Sequence, residues 1–551
     1  MPITAFALEN FMAFERTDWL ELQKLTLLLG RNSNGKTALI RALRLLKQSV
    51  ATNNPDQPFR FVMDGGLDAG HFKAVLHQSP QEDFIDEGKV DSEEDRRRIE
   101  EARSWSKQLS FSFRSAVPLY KLPVDSLPND AEIREKHGDY ANVEFEALLG
   151  YRESLITGRV LPVFWELSYC GVAGERVQPF RLLQLERDLH AKASGGVPQD
   201  TWRAKSDFFS QTSSDELADY FSLSCLNGFL PELTEGKLYP QLQSNVVEQK
   251  HADGIRELWQ LHKQEVIKFL DSIKYVGPIR PSPERFYLIT AETREAWRRQ
   301  GATAFLDYLE GDDDEAHNRQ IASWLDKFKL GQALRRSKAD VRDFKPLIVS
   351  RLELEEANQG AVVNLKDVGY GASQIIPIIV QCLDAPPDAL VIIEQPELHL
   401  HPSAQADIAD LLIESINEPT VKPARQRPLR PGRYPDSRRV EQVEQPPERV
   451  ARRYLVETHS ETLLLRLRVR LAQGPGAKFP LDFKDFNCYF VNRPYGADKS
   501  TVKAMEFNED GEYTERPLGF VDFFSQDFKE LLKLKRVRLG EEIDEDDEDS
   551  V

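Results

Sequence analysis

Lys24 to Leu46, KLTLLLGRNSNGKTALIRALRLL, prescribes a strand, a glycine loop and a helix in that order. Leu25 to Leu29 is an apolar run of strand length, and Leu39, Ile40, Leu43 and Leu46 recur at helical spacing. Between them, the loop from Gly30 to Thr37, GRNSNGKT, fits a phosphate-cradling pattern. Backbone N–H groups of such a loop, here around Gly30, Asn32, Asn34 and Gly35, wrap the phosphates. Lys36 would neutralise the outer phosphates and the Thr37 hydroxyl would bind Mg²⁺. A glycine turn without a ligand is the alternative, and the flanking strand and helix argue against it.

Such a loop needs a second strand ending in a carboxylate near the metal. Ala389 to Ile393 reads as that strand, and Glu394 is the first acid after it, one methylene longer than the usual aspartate. The stretch LVIIEQPELHLHP, residues 390–402, is thus expected to be the second half of an ATP site, roughly 350 residues from the first. Another apolar strand, YLVETHS, ends in Glu457, Thr458 and His459, and an imidazole there can donate to a γ-phosphate. Upstream, NLKDVGYGASQ, residues 364–374, precedes IIPIIVQCL, a helix whose small-residue N-terminus suits an anion.

A chain of 551 residues and 63.1 kDa is long enough for one large α/β unit with a substantial inserted or second lobe. Its formal charge is −18, and without the eight acids of residues 541–549 it is still −10, so nucleic acid could meet only a local basic strip. The start lacks a basic lead-in and a long apolar stretch, and no run reaches the roughly 20 apolar residues of a membrane span. A cytoplasmic location is therefore expected. Cys170, Cys225, Cys382 and Cys488 are scattered with no Cys-x-x-Cys pair and read as buried, reduced thiols.

The order GRNSNGKT, DVGYGASQ, IIEQPELHLHP, ETHS resembles the ABC-type ATPase heads of the RecF, SMC and OLD (overcoming-lysogenization-defect) group. The opening ITAFALENFMAF is similar to that group's N-terminal strand. YVGPIRPSPERFY, 275–287, and RPLGFVDFF, 516–524, resemble a prokaryotic subfamily of uncharacterised or defence-associated ATPases. The resemblance covers the two ends well and most of the middle poorly. It implies ATP and Mg²⁺ as cofactors, with Lys36 and Thr37 on phosphate and metal and Glu394 as the Walker B acid at the metal. It makes His459 the switch histidine. Gly371, Ala372, Ser373 and Gln374 would be a signature motif reaching the nucleotide of the opposite subunit, so that ATP joins two heads into a homodimer.

Two departures bear on mechanism. The signature serine sits two places later than in the common Leu-Ser-Gly-Gly-Gln. The residue after the Walker B acid, usually a water-positioning glutamate, is Gln395, which can orient water but cannot take a proton. Glu397 keeps a carboxylate nearby, so either hydrolysis is slow or Glu397 supplies the missing base; the second account is preferred. His399 and His401 are too few for a zinc site without a nearby cysteine and are expected at the dimer interface.

The expected architecture is an α/β P-loop NTPase, an ABC-type head assembled from both termini, with a mixed, largely helical inserted lobe. Residues 1–80 and 345–535 would form the head, 81–344 the insertion and 536–551 an acidic tail. Gln78 is either a Q-loop residue or, preferably, a surface glutamine. LSFSF, 109–113, reads as a strand by alternation, and Ile255, Leu258, Leu261, Val266, Phe269 and Ile273 approximate one helical face. A Pro/Arg-rich flexible loop, 416–450, carries Arg425, Arg427, Arg430, Arg433, Arg438 and Arg439, an even choice between DNA contact and solvated linker. The leading function is an ATP-hydrolysing, nucleotide-driven dimer switch acting with a separate effector, in antiphage defence or DNA maintenance. Its rivals are an OLD-like nuclease in its own right, a transporter's ATP-driving subunit, and a nucleotide-binding scaffold with little turnover.

Overall fold

The computed structural model describes residues 3–515 apart from 51, 53, 55–56, 63–66, 78–105, 124–126, 139, 173, 188–201, 210–211, 225–227, 237–245, 281, 291, 293–304, 306–307, 310–314, 340–347, 356–359, 418–419, 422–448, 451 and 475. The chain opens with β1 (Ile3–Phe11), β2 (Phe14–Arg16) and β3 (Leu20–Glu21), then β4 (Leu25–Leu29) and helix α1 (Lys36–Ser49). Strands β5 (Leu109–Pro118), β6 (Asn142–Glu153), β7 (Val160–Val172), β8 (Glu175–Arg187) and β9 (Trp202–Lys205) extend β1 into an antiparallel sheet ordered β2-β1-β5-β6-β7-β8-β9, with β3 on β1. A hairpin, β10 (Phe221–Ser224) and β11 (Glu232–Glu235), leads into the long helix α2 (Val246–Ser272).

A second sheet carries the site. Its order is β12 (Lys274–Val276), β17 (Leu390–Glu394), β20 (Arg453–Glu457), β4, β21 (Phe486–Asn492) and β22 (Thr501–Met505), parallel until β22 reverses on β21. Every residue of β4, β17 and β20 is buried, as expected of parallel strands covered on both faces. Alternation divides their side chains. Leu28, Ile392 and Leu455 enter a core shared with α1, α2 and the antiparallel sheet. Leu27, Val391, Ile393 and Val456 enter a second core. There they meet α3 (Glu315–Lys327), α4 (Tyr370–Asp384), α5 (Pro402–Asn417) and α6 (Glu461–Gln473). The result is the layered packing of an α/β domain. A four-stranded antiparallel sheet, β13 (Tyr287–Ile289), β14 (Ala333–Ala339), β15 (Ile348–Glu355) and β16 (Val362–Asn364), and a two-residue pair, β18 (Thr420–Val421) with β19 (Arg449–Val450), complete the strands.

The middle of the chain departs from the largely helical lobe expected from sequence. Among the described residues it is dominated by β5 to β8, with β6, β7 and β8 running 12, 13 and 13 residues. The physical reason is visible in β6, where Val143, Phe145, Ala147 and Leu149 are buried at period two while Glu144 and Glu146 are less so. The helical face of 255–273 is realised in α2, with Ile255, Leu258, Val266 and Phe269 buried. β12 lies in the expected insertion by sequence, yet it pairs with β17. Cys170, Cys382 and Cys488 are free and buried. Gln78, Cys225, RPLGFVDFF, the six arginines from Arg425 to Arg439 and the acidic tail lie outside the described residues. Among the described residues no helix is long and apolar enough to cross a membrane.

Candidate nucleotide site

β4 ends at Leu29 and delivers Gly30 to the C-terminal edge of the parallel sheet. Gly30 has φ 142° and a Cβ there would fall 2.2 Å from the Val491 carbonyl oxygen of β21, so only glycine fits. Gly35 caps α1 at φ 100°, with Ala13 Cβ 2.9 Å from where its own Cβ would be. The loop is tied to β21 by Asn34, whose Nδ2 donates to Val491 O at 3.3 Å and to Asn492 Oδ1 at 3.4 Å. Asn32 is exposed at the loop's crest.

Lys36 is 3% exposed, and its ammonium donates to the carbonyls of Gly30 (2.7 Å) and Arg31 (2.9 Å). Burial lowers its pKa to about 8, against the pull of Glu457 and Glu397. The Thr37 hydroxyl lies 3.1 Å from both carboxylate oxygens of Glu457 and donates to that group. Glu457 Oε1 is also 4.0 Å from the Lys36 ammonium. Burial, with Glu394 adding like-charge repulsion, raises the Glu457 pKa to about 7. Burial likewise raises that of Glu394, opposed by a hydrogen bond with Tyr275 and by Arg44 and Arg41 of α1.

Strand order explains which acid meets Thr37. β20 lies between β4 and β17, with Glu457 opposite Leu28 on one side and Glu394 on the other. The acid that ends the middle strand therefore reaches the P-loop hydroxyl, and Glu394 stands one strand further away. This role of Glu457 is not apparent from sequence, although the residue stands plainly at the end of its strand. Pairing order between distant segments has no local signal.

The loop after β17 folds back over this edge. Gln395 has φ 46° and its amide donates to the Glu457 carbonyl at 2.7 Å. Both oxygens of Glu397 are engaged, by the Thr458 hydroxyl at 2.8 Å and the His459 amide at 2.7 Å. The His459 pKa is lowered by burial and by Lys36, against a hydrogen bond with the Gly30 backbone. The switch-histidine candidate thus sits beside the P-loop.

The signature residues divide. Gly369 and Tyr370 are exposed and Gly371 half-buried at the start of α4, whereas Ser373 and Gln374 are buried. Ser373 Oγ donates to the Tyr370 carbonyl at 2.6 Å, and Gln374 Nε2 donates to the Arg280 carbonyl at 3.4 Å. His399 packs edge-on against Tyr370 with ring centroids 5.0 Å apart, and His401 Nδ1 accepts from the Ser403 amide at 3.2 Å. Among the described residues no group of three His, Cys, Asp or Glu side chains could hold a metal on its own.

The residues nevertheless suit a magnesium nucleotide, whose phosphates would complete the metal's shell. Glu457, at the Thr37 hydroxyl, and Glu394, one strand further on, are buried carboxylates with raised pKa, and Glu394 Oε1 is buried without a hydrogen-bond partner. A cation bound there would stabilise both charged forms. Gly30 and Gly35 are required by the close approach of Val491 and Ala13, and the loop they permit leads into the N-terminus of α1, where backbone N–H groups suit an anion.

A parallel sheet covered on both faces, a glycine loop feeding α1 and acids ending β20 and β17 make this a P-loop NTPase fold of the α/β class. Residues 258–426 match the family model described as "AAA domain, putative AbiEii toxin, Type IV TA system". Among solved structures, the chain is similar to the Smc head domain of Pyrococcus furiosus, with an extended coiled coil and bound to the C-terminal domain of ScpA. That match has 11% identity over 97% of this chain and 99% of that one, at a TM-score of 0.36. It is also similar to the SMC head domain of Thermotoga maritima, with 9% identity over 92% of this chain and 100% of that one, at a TM-score of 0.32. No curated protein matches the chain.

Proposed function

We propose that the chain is a Mg²⁺-dependent ATPase whose nucleotide closes two copies face to face, with the closed state signalling to a separate effector. The observation that carries this reading is the junction of Lys36, Thr37 and Glu457 at one sheet edge, with Glu394 beside them. The loop amides and Lys36 would hold the phosphates. Thr37, with Glu457 and Glu394, would hold the metal, which supplies charge neutralisation at the transferring phosphoryl group. For the attack on phosphorus, Gln395 orients water and Glu397 accepts its proton through lone pairs left free by Thr458 and His459. His459, beside Gly30, donates to the terminal phosphate. Defence against phage or DNA maintenance is the proposed setting, supported by the AAA-domain family match over residues 258–426.

The test is steady-state release of phosphate from ATP with Mg²⁺ present and with Mg²⁺ chelated, for the full chain and for Lys36→Ala. Turnover that requires both Mg²⁺ and Lys36 supports the reading, whereas Lys36→Ala turning over like the parent overturns it. A second reading, a nucleotide-binding scaffold with little turnover, is favoured by Gln395. It predicts tight, Lys36-dependent binding with no phosphate release.

A further inference from the structure

Arg280 follows β12, four residues past the strand that flanks β17, and is 3% exposed. Its Nη2 donates to the carbonyls of Glu394 at 3.0 Å and Gln395 at 3.2 Å, the two residues that open the turn over the nucleotide site. Its Nε and Nη1 are buried with no acceptor. Burial lowers its pKa to about 10, and Glu397 opposes that shift from a distance without an ion pair. A guanidinium is a costly way to serve two carbonyls. One N–H-bearing nitrogen does that work, while two further buried donors on a cation are left unsatisfied. The remaining donors call for an oxygen-rich anion that arrives with a ligand, and a planar guanidinium matches phosphate oxygens in shape and charge.

We propose that Arg280 is a phosphate-binding residue that reads the terminal phosphate of a nucleoside triphosphate, its Nη2 holding the Glu394–Gln395 turn while Nε or Nη1, which face different edges of the guanidinium, donates to a phosphate oxygen. The inference rests on the ATP-site reading above and deepens it. It makes the occupied and empty sites differ at the turn that carries Gln395 and Glu397. Through the Arg280 carbonyl that accepts from Gln374, it also joins the terminal phosphate to the start of α4.

The experiment is calorimetric titration of the full chain with Mg²⁺–AMPPNP and separately with Mg²⁺–ADP, for the parent, Arg280→Met, Arg280→Lys and Lys36→Ala. Loss of one charged hydrogen bond should weaken AMPPNP by roughly 10- to 100-fold in Arg280→Met, while ADP stays within about threefold. Arg280→Lys, which keeps the charge and can still serve the two carbonyls, should lose at least about fivefold on AMPPNP and little on ADP; it carries the comparison if Arg280→Met does not fold. Equal losses for the two nucleotides, or no loss for either, overturn the role of Arg280. A parent that binds neither nucleotide, or a Lys36→Ala chain that binds as the parent does, overturns the ATP reading and this inference with it.

Discussion

Both oxygens of Glu397 accept hydrogen bonds from the Thr458–His459 segment, so the residue joins the loop after β17 to the loop after β20. A carboxylate offers about four lone-pair positions, and two are taken. Glutamine at 397 can keep this geometry, its carbonyl facing the His459 amide and its NH₂ facing Thr458 Oγ1, while losing basicity. Glu397→Gln should therefore fold and bind Mg²⁺–AMPPNP within a few-fold of the parent, with turnover reduced by roughly 10²- to 10⁴-fold. Gln395→Ala, which removes a group that can orient water but not take a proton, should cost turnover no more than about tenfold. A Glu397→Gln chain of full activity in a phosphate-release assay would remove Glu397 from the mechanism. The residues of the P-loop were legible in sequence because each has a local mechanical reason, glycine for close approach, lysine for charge and threonine for the metal. Arg280 and Tyr275 were not, since a lone arginine between prolines and a tyrosine in a short strand become meaningful only once β12 is laid beside β17.

Elements, too, were readable to different depths. β4, β17 and β20 announce themselves as apolar runs because parallel strands covered on both faces have no polar side to show. β6 to β8 pair with their neighbours in sequence and β6 alternates at period two, so their strands had a local signal; the pairing of β1 with β5, about a hundred residues later, has none. The approach of β4 to β21 sets a tight limit at Gly30. Alanine there would meet the Val491 carbonyl and keep an unfavourable φ, so Gly30→Ala should lower stability by about 1–3 kcal/mol in denaturant unfolding and weaken nucleotide binding. A second limit lies where α2 packs on β5. His262 is 1% exposed, its Nδ1 is 2.7 Å from Ser115 Oγ, and Nε2 has no partner. Burial lowers its pKa from the ordinary 6.5 to about 4, against Glu265. The folded chain thus binds fewer protons than the unfolded one as pH falls below 6.5, and stability is lost progressively until about pH 4. Between pH 7.5 and pH 5 the parent should lose about 2 kcal/mol more than His262→Gln, since one pKa unit corresponds to about 1.4 kcal/mol. Parallel stability curves for the two proteins would show that His262 does not titrate on unfolding.

For the whole molecule, the dimer proposal makes each ATP site composite, with a P-loop from one copy and the exposed start of α4 from the other. Gly369, Tyr370 and Gly371 present an open surface there. The backbone of Gly371 leaves space for a side chain, since a Cβ added to it would have the His399 carbonyl oxygen, 3.5 Å away, as its nearest neighbour. Gly371→Arg should therefore fold normally and obstruct only an approaching partner, while Lys36→Ala disables only its own P-loop. Each variant alone should be inactive. In a heterodimer of the two, one site combines both defects and the other combines an intact P-loop with an intact α4 surface. Random pairing of equal amounts makes half of the dimers mixed, so the mixture should recover about a quarter of the parent turnover if the two sites act independently. Recovery on mixing cannot arise from a site built within one chain, because neither chain then carries a working site. An inactive mixture, with exchange of subunits verified by differently tagged copies, would mean that the start of α4 does not complete the partner's site.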